Sequence, residues 1–212
     1  MAIISNHPFV GIREVNKNIK ITFVNGILNT GNSCEVTSNE ISAYHGFNRV
    51  YFVNDQSKGV IRDLWEAQRL IWGNSTDGVM KLVMLWKSLL AEIDMNDPKS
   101  KIIHYAHSRG GLVTEVAMRY LTEGERGKLC IYILGSPTTI KEGQCKDCKN
   151  IYNSRDWVPV TNPSKIQYMV APLANDKIVP SSAWFFEHGI LDNAYLNQIK
   201  MLGDQFLIEA KG

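Results

Sequence analysis

Two kinds of apolar pattern alternate along this chain of 212 residues. The first is a short run of β-branched and aromatic residues, which is typical of a strand buried on both faces of a sheet. Runs of this kind predict about six strands, at 19–24, 49–53, 101–106, 129–134, 150–153 and 166–170.

The second pattern places apolar residues three and four positions apart, as on the buried face of a helix. It predicts helices over 33–44, 60–72, 79–93, 111–121 and 193–208. Strands that alternate with helices form a mostly parallel sheet covered by helices on both faces, so an α/β fold is expected. In such sheets the chemistry lies beyond the carboxyl ends of the strands. The loops after positions 24, 106, 134 and 153 are therefore the places to look for a site.

One of these loops carries a candidate nucleophile. The residues Ala-His-Ser-Arg-Gly-Gly at 106–111 join a predicted strand to a predicted helix. Small residues two positions before and after Ser108 allow the close backbone approach of a strained turn that presents a serine hydroxyl. The first of them is Ala106 rather than glycine. The alternative is that Ser108 simply caps the helix that follows.

Three further segments of interest follow this turn along the chain. Gly135-Ser136-Pro137 follows a strand, the run Ile-Tyr-Asn-Ser-Arg-Asp-Trp-Val-Pro occupies 151–159, and a histidine follows the aromatic run at 184–186. With the turn at 106–111, the stretch 19–188 resembles the α/β-hydrolase superfamily, and within it the lipase and esterase branch. The resemblance implies one compact α/β-hydrolase domain spanning 1–212.

The resemblance also implies a triad in the chain order serine, acid, histidine. A serine hydroxyl needs an imidazole to remove its proton and a carboxylate to orient that imidazole. His188 is the only histidine after Ser108. Two carboxylates compete for the third role: Asp156 follows the strand at 150–153, and Asp176 precedes a similar Ile-Val-Pro phrase. The flanking pattern favours Asp156.

The tetrahedral intermediate would need two backbone N–H donors. The resemblance implies the amide of Arg109 and an amide from the loop at 23–28. Within that loop we expect the amide of Ile27 to donate, with Gly26 allowing the chain to come close. The alternative, that Asn25-Gly26 is merely a tight turn, stays open. His107 and Arg109 are expected to support the turn or contact substrate, and His104 to be a hydrogen-bonded core residue.

Two helices between the strands at 49–53 and 101–106 carry large apolar side chains, namely Trp65, Trp72, Met80, Met84 and Trp86. The segment 60–95 can form a small cap or an acyl-binding wall. Ordinary core packing explains the same residues, and helical spacing favours it.

Composition narrows the choice of partner and compartment. The 23 basic and 21 acidic residues give a net charge of +2, which does not favour a nucleic-acid partner. No secretory signal and no run near ~18 apolar residues is present, so no integral membrane segment is expected.

Four cysteines favour a reducing, cytoplasmic location, although export without a signal stays open. Cys145 and Cys148 have the spacing of half a zinc site, but without a second pair we expect no metal and no cofactor, only reduced thiols or one local disulfide.

These patterns together predict a serine hydrolase that cleaves an ester or thioester through an acyl-enzyme on Ser108. The expected substrate is a small or lipid-like acyl compound. Two alternatives remain: a catalytically silent binding or regulatory protein on a hydrolase fold, and an acyltransferase that uses the same residues.

Overall fold

The computed structural model describes residues 7–26, 31–54, 70, 74–156, 158–161, 176–180, 190–191 and 193–210. Within them lies one sheet of seven strands in the order β1-β3-β2-β4-β5-β6-β7. The strands are β1 (Phe9–Val10), β2 (Ile19–Val24), β3 (Val50–Val53), β4 (Lys101–His107), β5 (Leu129–Leu134), β6 (Asp147–Asn153) and β7 (Asp176–Val179). Only β1 pairs antiparallel, with β3; the other neighbours are parallel.

The helices of the described residues are α1 (Gly31–Tyr44), α2 (Asp77–Leu90), α3 (Arg109–Met118), the single turn α4 (Glu123–Arg126) and α5 (Asn193–Glu209). A 3-10 turn covers Val158–Thr161. None of these helices combines the length and the apolar character needed to cross a bilayer.

The helices cover both faces of the sheet. Buried side chains of α2 and α3 pack on one face, beside Ile102 and Ala106 of β4. Those of α1 and α5 pack on the other, beside Ile103 and Tyr105. Successive residues of a strand point to opposite faces, so a strand buried on both sides must be apolar almost throughout. The predicted α/β fold with a mostly parallel, doubly covered sheet is confirmed.

The edges of the sheet correct the predicted strand number. The described part of the chain contains seven strands instead of about six, and the two that the pattern missed are the edge strands β1 and β7. β1 has two residues, and the middle of β7 is exposed, so neither forms the continuous apolar run of a central strand. The predicted strand at 166–170 and helix at 60–72 lie outside the described residues, apart from the helical Leu70.

The apolar face of α2 packs into the core. Trp86 is wholly buried there with Leu82 and Leu89, whereas Met80 and Met84 are exposed. Thr76 caps the helix by accepting a hydrogen bond from the amide of Val79 at 3.4 Å. The core interpretation therefore explains Trp86 without a ligand; Trp65 and Trp72 lie outside the described residues.

Candidate active site

Ser108 lies at the carboxyl end of the central strand β4, directly before α3. Its backbone has φ 56° and ψ −127°, a conformation that a residue with a Cβ rarely adopts. Although it occupies the N-cap position, its side chain makes no capping hydrogen bond to α3. The capping alternative therefore does not account for this serine, and the strained turn has the form expected of a nucleophile elbow.

Glycines create the space around this turn. A Cβ on Gly110 would lie 2.6 Å from the carbonyl oxygen of Val24, so the end of β2 can approach the helix only because that side chain is absent. A Cβ on Gly26 would lie 2.4 Å from the Cβ of Ser108 and 2.9 Å from its Oγ. The loop after β2 thus lies directly against the serine side chain.

This loop and the start of α3 are where the oxyanion donors were predicted. Arg109 is the first residue of α3, and amides of a first helical turn have no partner within the helix. Gly26 lies within contact distance of the Ser108 side chain. Asn25, just before it, is buried, and neither atom of its side-chain amide has a hydrogen-bond partner among the described residues. Ile27 lies outside those residues.

Asp156 follows β6 and is 3% exposed. Its Oδ1 accepts a hydrogen bond from the amide of Val158 at 2.9 Å, and its Oδ2 accepts one from the hydroxyl of Tyr195 at 2.6 Å. Parallel strands β4, β5 and β6 are adjacent, so Ser108 and Asp156 both lie at the carboxyl edge of the sheet, after strands that are two spacings, or roughly 10 Å, apart.

Asp176, the rival acid, lies at the other end of its strand. It is the first residue of β7, in register with Asn150, and its carboxylate accepts a hydrogen bond from the Nδ2 of Asn150 at 2.8 Å. The carboxyl end of β7 at Val179 is three positions further on, which is about 10 Å along a strand. This position favours Asp156 over Asp176 as a partner for the elbow.

The described histidines differ in what holds them. His104 is buried between the hydroxyls of Thr22 and Thr114, at 2.8 and 2.9 Å from its two ring nitrogens, as expected of a core residue. Both ring nitrogens of His45 also have core partners. His7 precedes the edge strand β1, three strands from β4. His107 is buried with its ring 6.1 Å from that of Tyr195, and His188 lies outside the described residues.

Solved structures share this architecture at very low sequence identity. The HSL homologue EstE7 from a metagenome library has a TM-score of 0.55 at 11% identity, over 97% of this chain and 87% of that chain. Dienelactone hydrolase from Anabaena variabilis has a TM-score of 0.54 at 12% identity, over 98% and 94%. The carboxylesterase of Bacillus cereus has a TM-score of 0.50 at 12% identity, over 96% of each chain.

The chain has the α/β-hydrolase fold. Neither a protein-family model nor a curated protein matches the sequence, so the likeness lies in the structure alone. The elbow after β4 and the buried aspartate after β6 are the features of this α/β-hydrolase fold that carry its candidate chemistry.

The loop after β5 lies in space between the start of α3 and Asp156. Gly135 and Ser136 follow β5, the strand between β4 and β6. A Cβ on Gly111 would lie 2.2 Å from the Oγ of Ser136, and a Cβ on Gly135 would lie 2.5 Å from the Oδ2 of Asp156. Gly135 also has φ +54°, so both space and backbone conformation require glycine there.

Sequence reasoning did not single out Tyr195. It occupies a buried position of the amphipathic helix α5, where a tyrosine is first interpreted as core packing. A hint was available, because a buried tyrosine hydroxyl needs a hydrogen-bond partner. The sequence could not indicate that this partner is Asp156.

The four cysteines are free thiols in the structure. A hydrogen bond to Cys148 and burial raise the pKa of Cys145, so the two thiols of the Cys-Lys-Asp-Cys segment are in contact. Burial raises the pKa of Cys34 to about 12 and that of Cys130 to about 11. Cys34, Cys130 and Cys145 are therefore protonated near neutral pH. Among the described residues, no group of three or more histidine, cysteine or acidic side chains could hold a metal ion.

Proposed function

We propose that this protein is a serine hydrolase that cleaves a carboxylic ester or thioester through an acyl-enzyme on Ser108. The observation that carries the proposal is the strained backbone of Ser108 at the carboxyl end of β4, with the backbone of Gly26 lying directly against its side chain. Strain of this kind is found where a residue must be presented for function. That two structures with the same fold are named dienelactone hydrolase and carboxylesterase is consistent with it.

In the proposed mechanism His188 takes the proton of Ser108 as the oxygen attacks the acyl carbonyl. Asp156 orients the imidazole and stabilises its charged form. The amides of Arg109 and Ile27 donate to the oxyanion. The imidazolium then protonates the leaving alcohol or thiol, and water attacks the acyl-enzyme by the same route to release the acid and regenerate Ser108.

The separation of the elbow from the acid supports this assignment. The strands that precede Ser108 and Asp156 are two spacings, or roughly 10 Å, apart, a separation that one imidazole with a hydrogen bond at each end can bridge. Asp176 is the first residue of β7, so most of the length of that strand separates it from the carboxyl edge of the sheet, where Ser108 lies. We propose that residues 1–212 form a single catalytic domain and that the substrate is a small or lipid-like acyl compound.

Labelling by a fluorophosphonate probe tests the proposal, because the probe reacts with an activated serine whatever the natural substrate is. We expect stoichiometric labelling of the wild-type protein on Ser108 and none of Ser108→Ala. Ser88→Ala is the matched control: Ser88 donates to the carbonyl of Leu85 on α2, and its loss should leave labelling unchanged. Equal labelling of Ser108→Ala would exclude Ser108 as the nucleophile.

The base is tested by a pair of histidine variants. We expect His188→Gln to lose the labelling rate by several orders of magnitude, because the serine hydroxyl is a weak nucleophile without its base. His107→Gln should label far faster than His188→Gln. The reverse order would assign the base to His107. No labelling of a folded wild-type protein would favour the silent binding protein.

A further inference from the structure

We propose that Tyr195 of α5 is a positioning residue that holds Asp156 in its working orientation. This inference rests on the proposed function, in which Asp156 is the acid of the triad. Tyr195 would touch neither the substrate nor the reacting atoms and would act only through the carboxylate.

The contacts of the tyrosine hydroxyl define this role. It donates to the Oδ2 of Asp156 at 2.6 Å and accepts from the amide of Asn153 at 3.1 Å. A donor–acceptor distance of 2.6 Å is typical of a charge-assisted hydrogen bond to a carboxylate. The Oδ1 of Asp156 meanwhile accepts from the amide of Val158. Each carboxylate oxygen therefore has its own donor, which fixes the plane of the carboxyl group.

The surroundings leave the pair little freedom to move. Tyr195 is fully buried, and the other buried residues of α5 are apolar or glycine, so its hydroxyl is the one polar side-chain group on that face. The backbone of Gly135 approaches so closely that a Cβ would lie 2.6 Å from the tyrosine oxygen. The ring of His107, next to Ser108, lies 6.1 Å from that of Tyr195 at a steep angle. Tyr195 therefore packs between His107 of the elbow and the carboxylate of Asp156.

Removal of the hydroxyl would change two properties of the acid. The carboxylate could rotate, so the imidazole would lose its fixed partner. Less of the carboxylate charge would be neutralised on the tyrosine side, so the imidazole proton would be held more firmly. The first effect lowers kcat, and the second moves the acid limb of the pH–rate profile to higher pH.

The experiment compares Tyr195→Phe with Tyr132→Phe. Tyr132 is a matched control because its hydroxyl also donates to an aspartate, Asp147, at 3.1 Å, but at the amino end of β6. For Tyr195→Phe we expect about a 10- to 100-fold loss of kcat on an activated ester, as for a small misplacement of a catalytic group, with KM within about twofold. Its acid limb should move to higher pH, and Tyr132→Phe should keep the wild-type profile.

A double-mutant cycle with Asp156→Asn shows whether the tyrosine acts through the acid. We expect Tyr195→Phe to have almost no further effect on kcat in the Asp156→Asn background, because interacting residues are not additive. Full additivity overturns the inference. So does a Tyr195→Phe protein with wild-type kcat and pH profile, in which case Ser108 labelling still supports the hydrolase. A wild-type protein that neither turns over ester nor reacts with the probe overturns both proposals.

Discussion

Acid should destabilise this protein well above the pH at which an ordinary carboxyl group titrates, because His45 and His104 are buried in the core. Burial lowers the pKa of His104 to about 3 and that of His45 to about 4. The contacts of His104 suit the neutral ring: the hydroxyl of Thr114 donates to the carbonyl of Gly110, so it accepts from Nε2, and Nδ1 faces the hydroxyl of Thr22. The folded protein therefore resists protonation at both rings.

The size of the effect follows from linkage between protonation and folding. A histidine in the unfolded chain takes up a proton near pH 6.5, whereas these two remain neutral in the folded state until about pH 4 and about pH 3. Their contribution to stability is therefore complete above pH 6.5 and is lost as the pH falls towards the folded pKa values. Between pH 7 and pH 5 each histidine costs about 2 kcal/mol, so the pair costs about 4 kcal/mol. That is a large part of a typical free energy of unfolding of about 5–15 kcal/mol.

Urea unfolding at pH 7, 6 and 5 measures this loss directly. We expect the free energy of unfolding to fall by about 4 kcal/mol over that range in the wild type and by about half as much in His104→Gln. Leu121→Ala is the control: it removes a buried apolar side chain and no titratable group, so it should destabilise the protein equally at every pH. A wild-type change below about 1 kcal/mol, or an undiminished slope in His104→Gln, would refute the reasoning.

Two further predictions concern other buried groups. Gly26→Ala should leave a folded protein whose rate of fluorophosphonate labelling falls by at least about 100-fold, since the new methyl group would overlap Ser108; wild-type labelling would show that the loop moves aside without cost. Cys34 and Cys130 should be alkylated by iodoacetamide at pH 8 far more slowly in the native than in the urea-unfolded protein, because burial raises the pKa of both thiols; equal rates measured by mass spectrometry would contradict this.

Features that depend on neighbouring residues could be predicted from the sequence. The periodicity of apolar residues identified the central strands and the helices at α1, α2, α3 and α5, because a residue buried on a strand or helix face must be apolar. The elbow could also be predicted, because it too depends on neighbouring residues. Its strand, its serine and its small flanking residues are contiguous, so one segment of the chain contains most of what makes the turn possible.

Features that depend on which segments meet were decided by the tertiary structure. The edge strands β1 and β7 lack an apolar run, so only their pairing reveals them. The flanking pattern favours Asp156 over Asp176, but the position of Asp176 far from the carboxyl edge of the sheet follows only from the register of β6 and β7. No local pattern could have indicated that register.

The closest contacts of the candidate site likewise join residues that are distant in the chain. Gly26 meets Ser108, and Gly135 and Tyr195 meet Asp156. By itself the sequence determined which residues are apolar, small or able to react, and hence the kind of fold and the candidate nucleophile. Only the folded chain determined which backbone lies against the serine and which hydroxyl holds the carboxylate, because burial can be read from residue type but the neighbour across the core cannot.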